Sequence, residues 1–513
     1  MDYGYPVLTS LIAFPLLAAV GLFIVPGWLS RGYTLAASIV ELMLAIPLIQ
    51  GLRFTSEFQF VERLPWVPQW GLEYYLGIDG ISYLMVLLTL AVLPLCVLCS
   101  WTYIGKRIKE FHFCLLFMTA ACIGVFSALD LVLFYVFWEA MLIPMYLLIA
   151  VWGGDERRYA SIKFFLYTLA GSTLLLAAIV AFRITGGTFS IPELMTINFT
   201  FNFQFWAFLA MALAFAIKVP MFPFHTWLPA AHVQAPSAGS VILAAVLLKM
   251  GTYGFLRFCL PLTPAASEFF APMMIAISIV SIIYGGAVAL GQSDVKKLVA
   301  YSSVGHMGFV TLGIFLFNVR GVEGALMQML NHGIVTGAMF MMIGAVYERS
   351  HSRNISDNMG LGKYMPAFMF FWGLFALSSF GFPGTNGFVG EILVFIGAFQ
   401  AKTWIGFAIV PGALLAAAYM FKVSLKLAWG QPSSFGAGWR DLNEREWTYL
   451  AIPAVFVLYI GLAPGLFYKI IDPSIEKLLL DFGQRKAIAQ VETEQPVKTA
   501  AQSVFSGLLF GAE

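Results

Sequence analysis

The segment that decides the fold is AFLAMALAFAIKVPMFPFHTWLPAAHVQAP, residues 207–236. It is apolar enough to cross a bilayer, yet it carries Lys218 near its middle and Pro220, Pro223 and Pro229 directly afterwards. Proline has no backbone N–H to give to a helix, so we expect the helix to break beside Lys218. A membrane tolerates such a break where it lines a cavity inside the protein.

Lys218 lies too far from either end of this apolar run for its side chain to reach the headgroups easily. Burying an ammonium in a membrane costs at least about 2.5–3.5 kcal/mol, so the side chain should face the protein interior and find a partner. We interpret it as a proton or cation site. A purely structural ion pair remains the alternative.

The composition indicates a membrane protein. Of 513 residues, 60% are hydrophobic and 11% are charged, which leaves too little polar surface for a soluble protein. At ~20 residues per span we expect an all-α polytopic protein with about fourteen transmembrane helices. The apolar runs are 4–25, 33–52, 80–101, 112–128, 131–152, 161–182, 204–229, 235–258, 270–290, 298–318, 322–346, 366–400, 404–430 and 448–469. The start shows no basic region or cleavage site, so we expect the first run to be retained.

The net charge of +2 gives no argument for a nucleic-acid partner, but the distribution of charge predicts a topology. With the N-terminus outside, the inward loops hold sixteen basic residues: Arg31, Lys106, Arg107, Lys109, Arg157, Arg158, Lys163, Lys296, Lys297, Arg349, Arg353, Lys363, Lys422, Lys426, Arg440 and Arg445. The outward loops hold Arg53, Arg63, Arg183, Arg257, Arg320, Lys402 and, at the end of the last run, Lys469. By the positive-inside rule, both termini should lie outside.

A second buried charge precedes Lys218 in the sequence. Glu139 is the only charged residue in LVLFYVFWEAMLIPMYLLIAVWGG, residues 131–154, and at 1.5 Å per residue it lies ~13 Å deep. An isolated carboxylate there needs a partner, and Lys218 is the obvious candidate. Such a pair predicts a switch, in which the carboxylate controls whether the lysine keeps its proton. A static ion pair that specifies packing remains the alternative.

Lys249 and two histidines follow the break. Lys249 is the only charge in the middle of SAGSVILAAVLLKMGTYGFLRF, residues 237–258. A second buried lysine one helix after the first argues against coincidence. His225 and His232 flank the break and are candidate relay groups, although interfacial histidines would fit equally well.

Two more histidines lie in neighbouring apolar runs. His306 lies in LVAYSSVGHMGFVTLGIF, and His332 lies in ALMQMLNHGIVTGAMFMMIGAVYE. Each has Ser, Asn or Gln nearby, which suits a hydrogen-bonded chain that carries protons by way of water. A lone buried histidine is usually a satisfied core residue, but two on adjacent helices favour a relay.

A second interrupted span occurs at ALSSFGFPGTNGFVGEILVFIGAF, residues 376–399. Its glycines and proline should unwind the helix, and Glu391 follows within the membrane. Two interrupted spans, one in each half, predict inverted structural repeats with ion sites at the breaks. Aligning the fourth to eighth spans with the ninth to thirteenth pairs Glu139 with His306 and Lys218 with Glu391.

This alignment divides the chain into five parts. We expect scaffold helices at 1–110, a first five-helix repeat at 111–260, a second at 261–430, the last span at 431–470, and an outer-surface amphipathic helix with a polar tail at 471–513. The helix should be DPSIEKLLLDFGQRKAIAQ, residues 472–490, and the following VETEQPVKTAAQS should be disordered.

Other polar and thiol groups favour structural roles. Cys96 and Cys99 form a CxxC within a helix that has no second pair, so packing thiols are expected rather than a metal site. Glu41, inside the second span, could be structural or a minor part of an ion path. No phosphate loop, flavin motif, haem ligand pair or cysteine cluster is visible in the sequence.

Residues 75–470 resemble the antiporter-like membrane subunits of respiratory complex I, the proton-pumping NADH:quinone oxidoreductase. The most specific stretches are FYVFWEAMLIPMYLLI, AFAIKVPMFPFHTWLPAAHVQAPS, DVKKLVAYSSVGHMGF and FPGTNGFVGE. Most members have a lysine in the twelfth span, whereas the chain 4 branch, also called the subunit M family, has a glutamate. Glu391 occupies that position, so the chain is similar to that branch and is expected in a bacterial inner membrane.

The resemblance implies a charge-switch pair at Glu139 and Lys218, a connecting role for Lys249, relay roles for His306 and His332, and proton release by Glu391. It implies no cofactor on this chain, with FMN, iron–sulfur clusters and quinone in partner subunits. Neighbouring antiporter-like subunits of the membrane arm and the lipid bilayer are the expected partners. The loop ITGGTFSIPELMTINFTF, residues 184–201, is expected to form a hairpin that contacts a neighbour. The alternative function is a stand-alone or multisubunit Na⁺/H⁺ antiporter subunit.

Overall fold

The computed structural model describes residues 5–431 and 439–486. Its helices are Val7–Gly21, Ser30–Leu44, Ile46–Gly51, Gly80–Cys99, Ile108–Ser127, Leu131–Ala140, Leu142–Trp152, Arg157–Gly186, Ile191–Leu194, Phe201–Lys218, Trp227–Gln234, Ser237–Ile242, Leu248–Gly254, Leu260–Leu262, Pro264–Leu290, Val295–Phe315, Val319–Ser350, Pro366–Ser379, Asn386–Ala401, Thr403–Trp429, Glu444–Leu462 and Gly465–Lys486. Short 3₁₀ turns lie at Pro68–Trp70, Ser356–Asn358 and Leu361–Lys363, and π-helical turns lie at Leu243–Leu247 and Phe255–Cys259.

The described residues contain 11 helices long and apolar enough to cross a membrane, or up to 12 if the bent pair Glu444–Leu462 and Gly465–Lys486 is one span. A mostly helical, polytopic membrane fold is therefore confirmed, and the expectation of an all-α protein is wrong only at one β-hairpin. Three shorter apolar helices, Val7–Gly21, Pro366–Ser379 and Asn386–Ala401, fall below that length. The number fourteen and the inverted repeats stay predictions.

Helix Ser237–Leu262, hereafter the central helix, forms the middle of the bundle. All residues of its apolar membrane-spanning stretch are buried inside the protein, whereas 39% of the residues in the corresponding stretch of the peripheral helix Thr403–Trp429 are buried. The two π-helical turns interrupt it before and after Lys249. A π turn leaves a backbone carbonyl without its usual helical partner, and such turns are frequent at functional sites.

Both predicted breaks are present. The helix that begins at Phe201 ends at Lys218, and the chain resumes helical structure at Trp227. The second break separates Ser379 from Asn386, and within it Gly381 has a φ of 72°. Glycine adopts this left-handed conformation without the steric cost of a Cβ.

A third interruption was not predicted. Helix Leu131–Ala140 ends and Leu142–Trp152 begins around a turn at Met141. Pro144 explains it, because proline cannot donate a hydrogen bond to the carbonyl of Ala140, four residues earlier. The turn directly follows Glu139.

The predicted position of the hairpin was wrong. Within residues 184–201, the ends of two long helices flank the short helix Ile191–Leu194, and Ser190 forms an isolated bridge with Asp130. The hairpin instead pairs β1, Gln59–Val67, with β2, Leu72–Ile78, in the loop between the second and third apolar runs. Gly71, with φ of 70°, supplies the left-handed turn between the strands.

Helix Gly465–Lys486, hereafter the terminal helix, covers the described part of the predicted helix, whose place on the outer surface stays a prediction. Ser474 Oγ accepts a hydrogen bond from the backbone N–H of Gly80 at 3.0 Å, and Lys477 forms an ion pair with Glu57 at 2.9 Å. The Arg485 guanidinium donates to the carbonyl of Pro261. Residues 487–490 of the predicted helix and the tail at 491–503 lie outside the described residues.

Candidate functional site

Lys218 is the last residue of its helix and only 1% exposed. Its Nζ lies 3.4 Å from the sulfur of Met141 and 5.1 Å from the centroid of the Trp138 ring. Both are weak partners for an ammonium, a polarisable sulfur on one side and a π face on the other. The end of this helix therefore places the Lys218 ammonium between a sulfur atom and an aromatic ring.

Glu139 does not form the predicted ion pair with Lys218. Within the part of the chain that is described, no ion pair within 4.0 Å joins them, although the two charges remain close enough to attract one another. The reason is local, since Trp138 and Met141, on either side of Glu139 in the sequence, occupy the space around the ammonium. One carboxylate oxygen of Glu139 is buried without a hydrogen-bond partner in the protein.

Lys249 is fully buried in the central helix. Its Nζ lies 2.7 Å from Nδ1 of His332, and it donates to the carbonyl of Ala244, within the first π-helical turn. An ammonium can only donate, so when Lys249 is charged His332 must be neutral at Nδ1 and carry its proton on Nε2. The predicted lysine and histidine thus form a direct contact.

Glycines bring these helices together. A Cβ on Gly251 would lie 2.8 Å from the carbonyl oxygen of Phe215 and 3.1 Å from the backbone nitrogen of Val219, next to Lys218. A Cβ on Gly333, next to His332, would lie 2.9 Å from the carbonyl oxygen of Ala245. The backbone of the central helix therefore packs directly against both neighbouring sites.

His306 and Glu391 form the next contact. Nδ1 of His306 lies 3.2 Å from Oε1 of Glu391, and each residue is 5% exposed. Gln328 Nε2 donates to the same carboxylate oxygen at 3.2 Å. The His306 ring lies 5.8 Å from the His332 ring, measured between centroids. Lys249, His332, His306 and Glu391 thus form one series of neighbouring groups, and Lys218 approaches it through the packing of its helix end against Gly251.

A small polar cavity lies between the two histidines. It has a volume of about 10 Å³, and its lining includes His306, Gln328, Asn331 and His332. That is about the room of one water molecule. Among the described residues, neither Nε2 of His332 nor Oε1 of Gln328 has a hydrogen-bond partner, and a water molecule in the cavity would satisfy such groups.

Among the described residues, neither the ring of His225 nor that of His232 forms a hydrogen bond with a member of this series. His225 is 3% exposed and packs against Tyr284, with the ring centroids 5.0 Å apart. His232 is fully buried and stacked on Phe340 at 4.5 Å, and neither of its ring nitrogens has a hydrogen-bond partner among the described groups. Both side chains are therefore buried within the protein, and their role as relay groups stays a prediction.

The sequence misplaced two cations. Arg257, assigned to an outward loop, is 4% exposed and pairs with Asp79 at 2.5 Å. Lys296, assigned to an inward loop, is 7% exposed and donates to the carbonyl of Ala235 at 2.6 Å. Each lies near the end of an apolar run, where composition alone does not separate a loop from a buried helix end.

The structure places two further polar side chains at the site that the sequence analysis did not predict. Tyr419 OH lies 3.3 Å from Nε2 of His306, and Gln328 contacts Glu391. Glu41 is 1% exposed with an unpartnered carboxylate oxygen, and its role stays open. The five cysteines are buried free thiols, as expected for packing residues.

Comparisons with known proteins identify the family of this chain. The family described as "NADH:quinone oxidoreductase/Mrp antiporter, TM" matches residues 128–416, and "NADH-ubiquinone oxidoreductase chain 4, amino terminus" matches residues 12–124. The chain is 44% identical over 502 residues to NADH-quinone oxidoreductase subunit M of Rhodobacter capsulatus, covering 93% of this chain and 97% of the relative. The chain belongs to this antiporter-like family.

Other members and structures extend the likeness. NADH-ubiquinone oxidoreductase chain 4 of Chondrus crispus is 42% identical, covering 92% of this chain and 97% of the relative. A chain of respiratory complex I from Thermus thermophilus with bound NADH has a TM-score of 0.86 at 30% identity, covering 93% of this chain and 99% of that one. The Mrp complex from Dietzia sp. has a TM-score of 0.81 at 23% identity over 94% of this chain and 56% of that one, a likeness of fold alone. This family member is a multi-pass membrane protein with bacterial relatives.

Proposed function

We propose that this chain is a proton-translocating membrane subunit of NADH:quinone oxidoreductase. One observation carries the proposal: titratable groups at Lys218, Lys249, His332, His306 and Glu391 follow one another across the interior of an apolar bundle. Ionisable groups inside a membrane protein are costly and typically mark ion pathways. The family relationship supports an enzyme complex in which this chain is one subunit.

The first step concerns Glu139 and Lys218. Met141 and Trp138 occupy the space around the Lys218 ammonium and keep it out of an ion pair with the Glu139 carboxylate. A movement of the turn at Met141 would change the distance between the two charges and so the strength of their attraction. When the lysine approaches Glu139, its charged form is favoured; when it retreats to the soft pocket, loss of a proton is favoured. The pair then acts as a charge switch.

The next steps pass through Lys249. Gly251 keeps the central helix against the end of the helix that carries Lys218, and Lys249 contacts His332 directly. A proton given by Lys249 to Nδ1 of His332 can leave from Nε2, because the two ring nitrogens exchange donor and acceptor roles. Water in the polar cavity would carry it to His306 and then to Glu391.

The redox chemistry belongs to partner subunits in this proposal. NADH, FMN, iron–sulfur clusters and quinone are assigned to other parts of the complex, and neighbouring membrane-arm subunits are the direct partners. The chain supplies the buried proton pathway, and conformational or electrostatic coupling to its neighbours supplies the driving force.

We also propose fourteen transmembrane helices, with inverted repeats at residues 111–260 and 261–430. The breaks after Lys218 and after Ser379 support the repeats, since each precedes or follows a buried charge. The excess of basic residues in the predicted inward loops supports placement in a bacterial inner membrane with both termini outside.

Replacing Glu139 or Lys218 with Ala tests the function. NADH-driven proton uptake in membrane vesicles should fall by about tenfold or more, as expected when an acid–base group is removed from a proton-transfer step. NADH oxidation by an artificial acceptor should be unchanged, because it reports only the redox part of the complex. The matched control is Glu110→Gln, which alters an exposed carboxylate beside Arg107. Near-normal pumping in both alanine variants would refute the proposal.

The alternative, an independent Na⁺/H⁺ antiporter subunit, is less well supported. The relatives with the higher identities are subunits of NADH oxidoreductases, and the Mrp likeness concerns the fold. Purification of the chain without NADH dehydrogenase partners, together with sodium-dependent proton exchange in vesicles, would favour the alternative.

A further inference from the structure

A large cavity opens on the side of the bundle that holds the hairpin and the terminal helix. Its volume is about 500 Å³, and its lining includes Glu57, Asp79, Arg257, Lys477 and Arg485. The central helix contributes Leu256, Arg257 and Pro261 to the lining, whereas Tyr253 and Lys249 are not among the described lining residues. The cavity therefore reaches Arg257 and stops there.

Arg257 is held in place from several directions. Its Nη2 donates to Asp79 at 2.5 Å, and its Nε donates to Tyr253 OH at 3.2 Å. The ring of Phe58 lies 5.0 Å from its guanidinium carbon. Asp79 also accepts from the backbone N–H of Ser82, so the carboxylate is fixed by the start of the next helix. A guanidinium stays charged at any physiological pH, so the site holds a fixed ion pair whose positive member, Arg257, lies on the same helix as Lys249.

Arg257 stands between the cavity and the proton pathway. Lys249 and Tyr253 are four residues apart in the α-helical part of the central helix and so lie on one face, and Arg257, in the second π-helical turn, contacts the Tyr253 hydroxyl directly. Eight residues correspond to about 12 Å along a helix. Tyr253, 1% exposed, fills the interval, and its hydroxyl donates to the carbonyl of Phe126 at 3.3 Å.

We propose that Arg257 is an electrostatic seal, which Asp79 and Tyr253 hold in position, and which prevents a proton on Lys249 from escaping into the cavity. A fixed positive charge in a narrow path opposes the approach of a proton, as arginine does in water channels that exclude protons. The inference rests on the proposed pathway through Lys249. It assigns to Arg257 a task separate from proton transfer, the prevention of a leak.

The test is passive proton flux through the whole enzyme complex reconstituted in vesicles, without NADH and with quinone reduction inhibited. A pH jump across the membrane would be followed with a dye in the lumen. Arg257→Gln keeps hydrogen-bonding groups but removes the charge, and should raise the leak roughly tenfold, the effect of one unit charge about 12 Å away at an effective dielectric constant of about 20. Arg257→Lys and Asp79→Asn keep a positive charge and should stay as tight as the unaltered enzyme.

Three further variants test whether a leak comes from loss of the Arg257 charge, passes through Lys249, or follows from any change in the cavity. Asp79→Asn with Arg257→Gln removes both charges, which avoids leaving a buried unpaired carboxylate. Because the net charge of the site is then unchanged, this variant should leak more than the unaltered enzyme but less than Arg257→Gln. Lys249→Met added to Arg257→Gln should abolish the leak, because the route passes through Lys249. Lys477→Gln alters the same cavity at an exposed ammonium and should leave the flux unchanged.

The proposal is overturned if both variants without the Arg257 charge remain tight, if Arg257→Lys leaks as much as Arg257→Gln, or if the leak persists without Lys249. These outcomes are independent of NADH-driven pumping in the Glu139 and Lys218 variants. A failed seal and a failed pumping assignment are therefore distinguishable.

Discussion

Soft contacts rather than an ion pair surround the ammonium of Lys218. The sulfur of Met141 and the ring of Trp138 stabilise the charge only in part. A tight ion pair with Glu139 would hold the proton on the lysine. A weakly solvated lysine with a carboxylate nearby can instead be moved between the two states at little cost, which suits a group that must gain and lose a proton in each cycle.

Met141→Leu tests this balance. Leucine has a similar volume but cannot accept a hydrogen bond, so Lys218 should spend more time near Glu139. Because a net hydrogen bond contributes about 0.5–1.5 kcal/mol, the rate of NADH-driven pumping should fall by roughly tenfold at most. Proton uptake in vesicles measures it, with Met145→Leu as the control one turn further along the same span. Faster pumping in Met141→Leu than in the unaltered enzyme would contradict this account.

Glu391→Gln tests the end of the series. Glutamine can still hydrogen-bond to Gln328 and His306, so assembly should be retained, but the group no longer titrates. Pumping should fall by about tenfold or more while artificial-acceptor activity stays normal. Full pumping with glutamine would remove Glu391 from the pathway. Glu444→Gln, at an exposed first turn, is the control.

At the scale of elements, interruptions in helices position the site. The turn at Met141, the ends at Lys218 and Ser379, and the π turn before Lys249 each lie beside a buried titratable group. An interrupted helix exposes backbone groups that can bind charges or water, and it allows two segments to move separately. The regular helices between them supply rigid walls.

Gly381→Ala tests the second break. A side chain at φ of 72° costs about 1–2 kcal/mol, and the new Cβ would lie 2.6 Å from Oε2 of Glu391. The carboxylate must shift away from His306, so pumping should fall together with the thermal stability of the complex. Gly373→Ala, in the preceding helical segment where nothing lies within 4 Å, should leave both unchanged. Equal behaviour of the two variants would contradict the role of the break.

Two of these interruptions could be predicted from the sequence, and two could not. The prolines after Lys218 and the glycines before Glu391 predict the breaks, because proline lacks the N–H that a helix needs and glycine readily leaves helical conformation. Pro144 carried the same signal at Met141, but the apolar run around it looks like an ordinary span. The π turns leave no local signature, since they arise from packing of the central helix against its neighbours.

At the scale of the whole molecule, the hairpin and the terminal helix close one side of the bundle. Arg485, near the end of the terminal helix, donates to the carbonyls of both Ile197 and Pro261, and so ties three distant parts of the chain together. Docking of this helix therefore forms one wall of the cavity in front of Arg257.

Arg485→Ala should loosen this wall. Loss of charged hydrogen bonds worth about 1.5–3 kcal/mol each should increase amide hydrogen exchange across the terminal helix by tenfold or more. The exchange of the central helix should not change. Lys469→Ala, at the start of the same helix, is the control. Unchanged exchange in Arg485→Ala would show that other contacts hold the helix.

The sequence predicted which titratable residues form the site but not which of them contact one another. Each titratable residue stood out because charge is rare in apolar runs, but Lys249 and His332 are 83 residues apart, and their contact depends on how the helices pack. The predicted hairpin failed for a similar reason, since strand pairing depends on partners outside a single segment. Arg257 and Lys296 were misplaced because hydropathy does not distinguish a loop from the buried end of a helix.

The complete enclosure of the central helix has a consequence for how the surroundings reach Lys249. The apolar stretch of the central helix is wholly buried among the other described helices. A thicker, thinner or more ordered bilayer can therefore change the surroundings of Lys249 only by first distorting the outer ring of helices. Transport through such a protein should consequently vary little among hosts whose lipids differ in chain length.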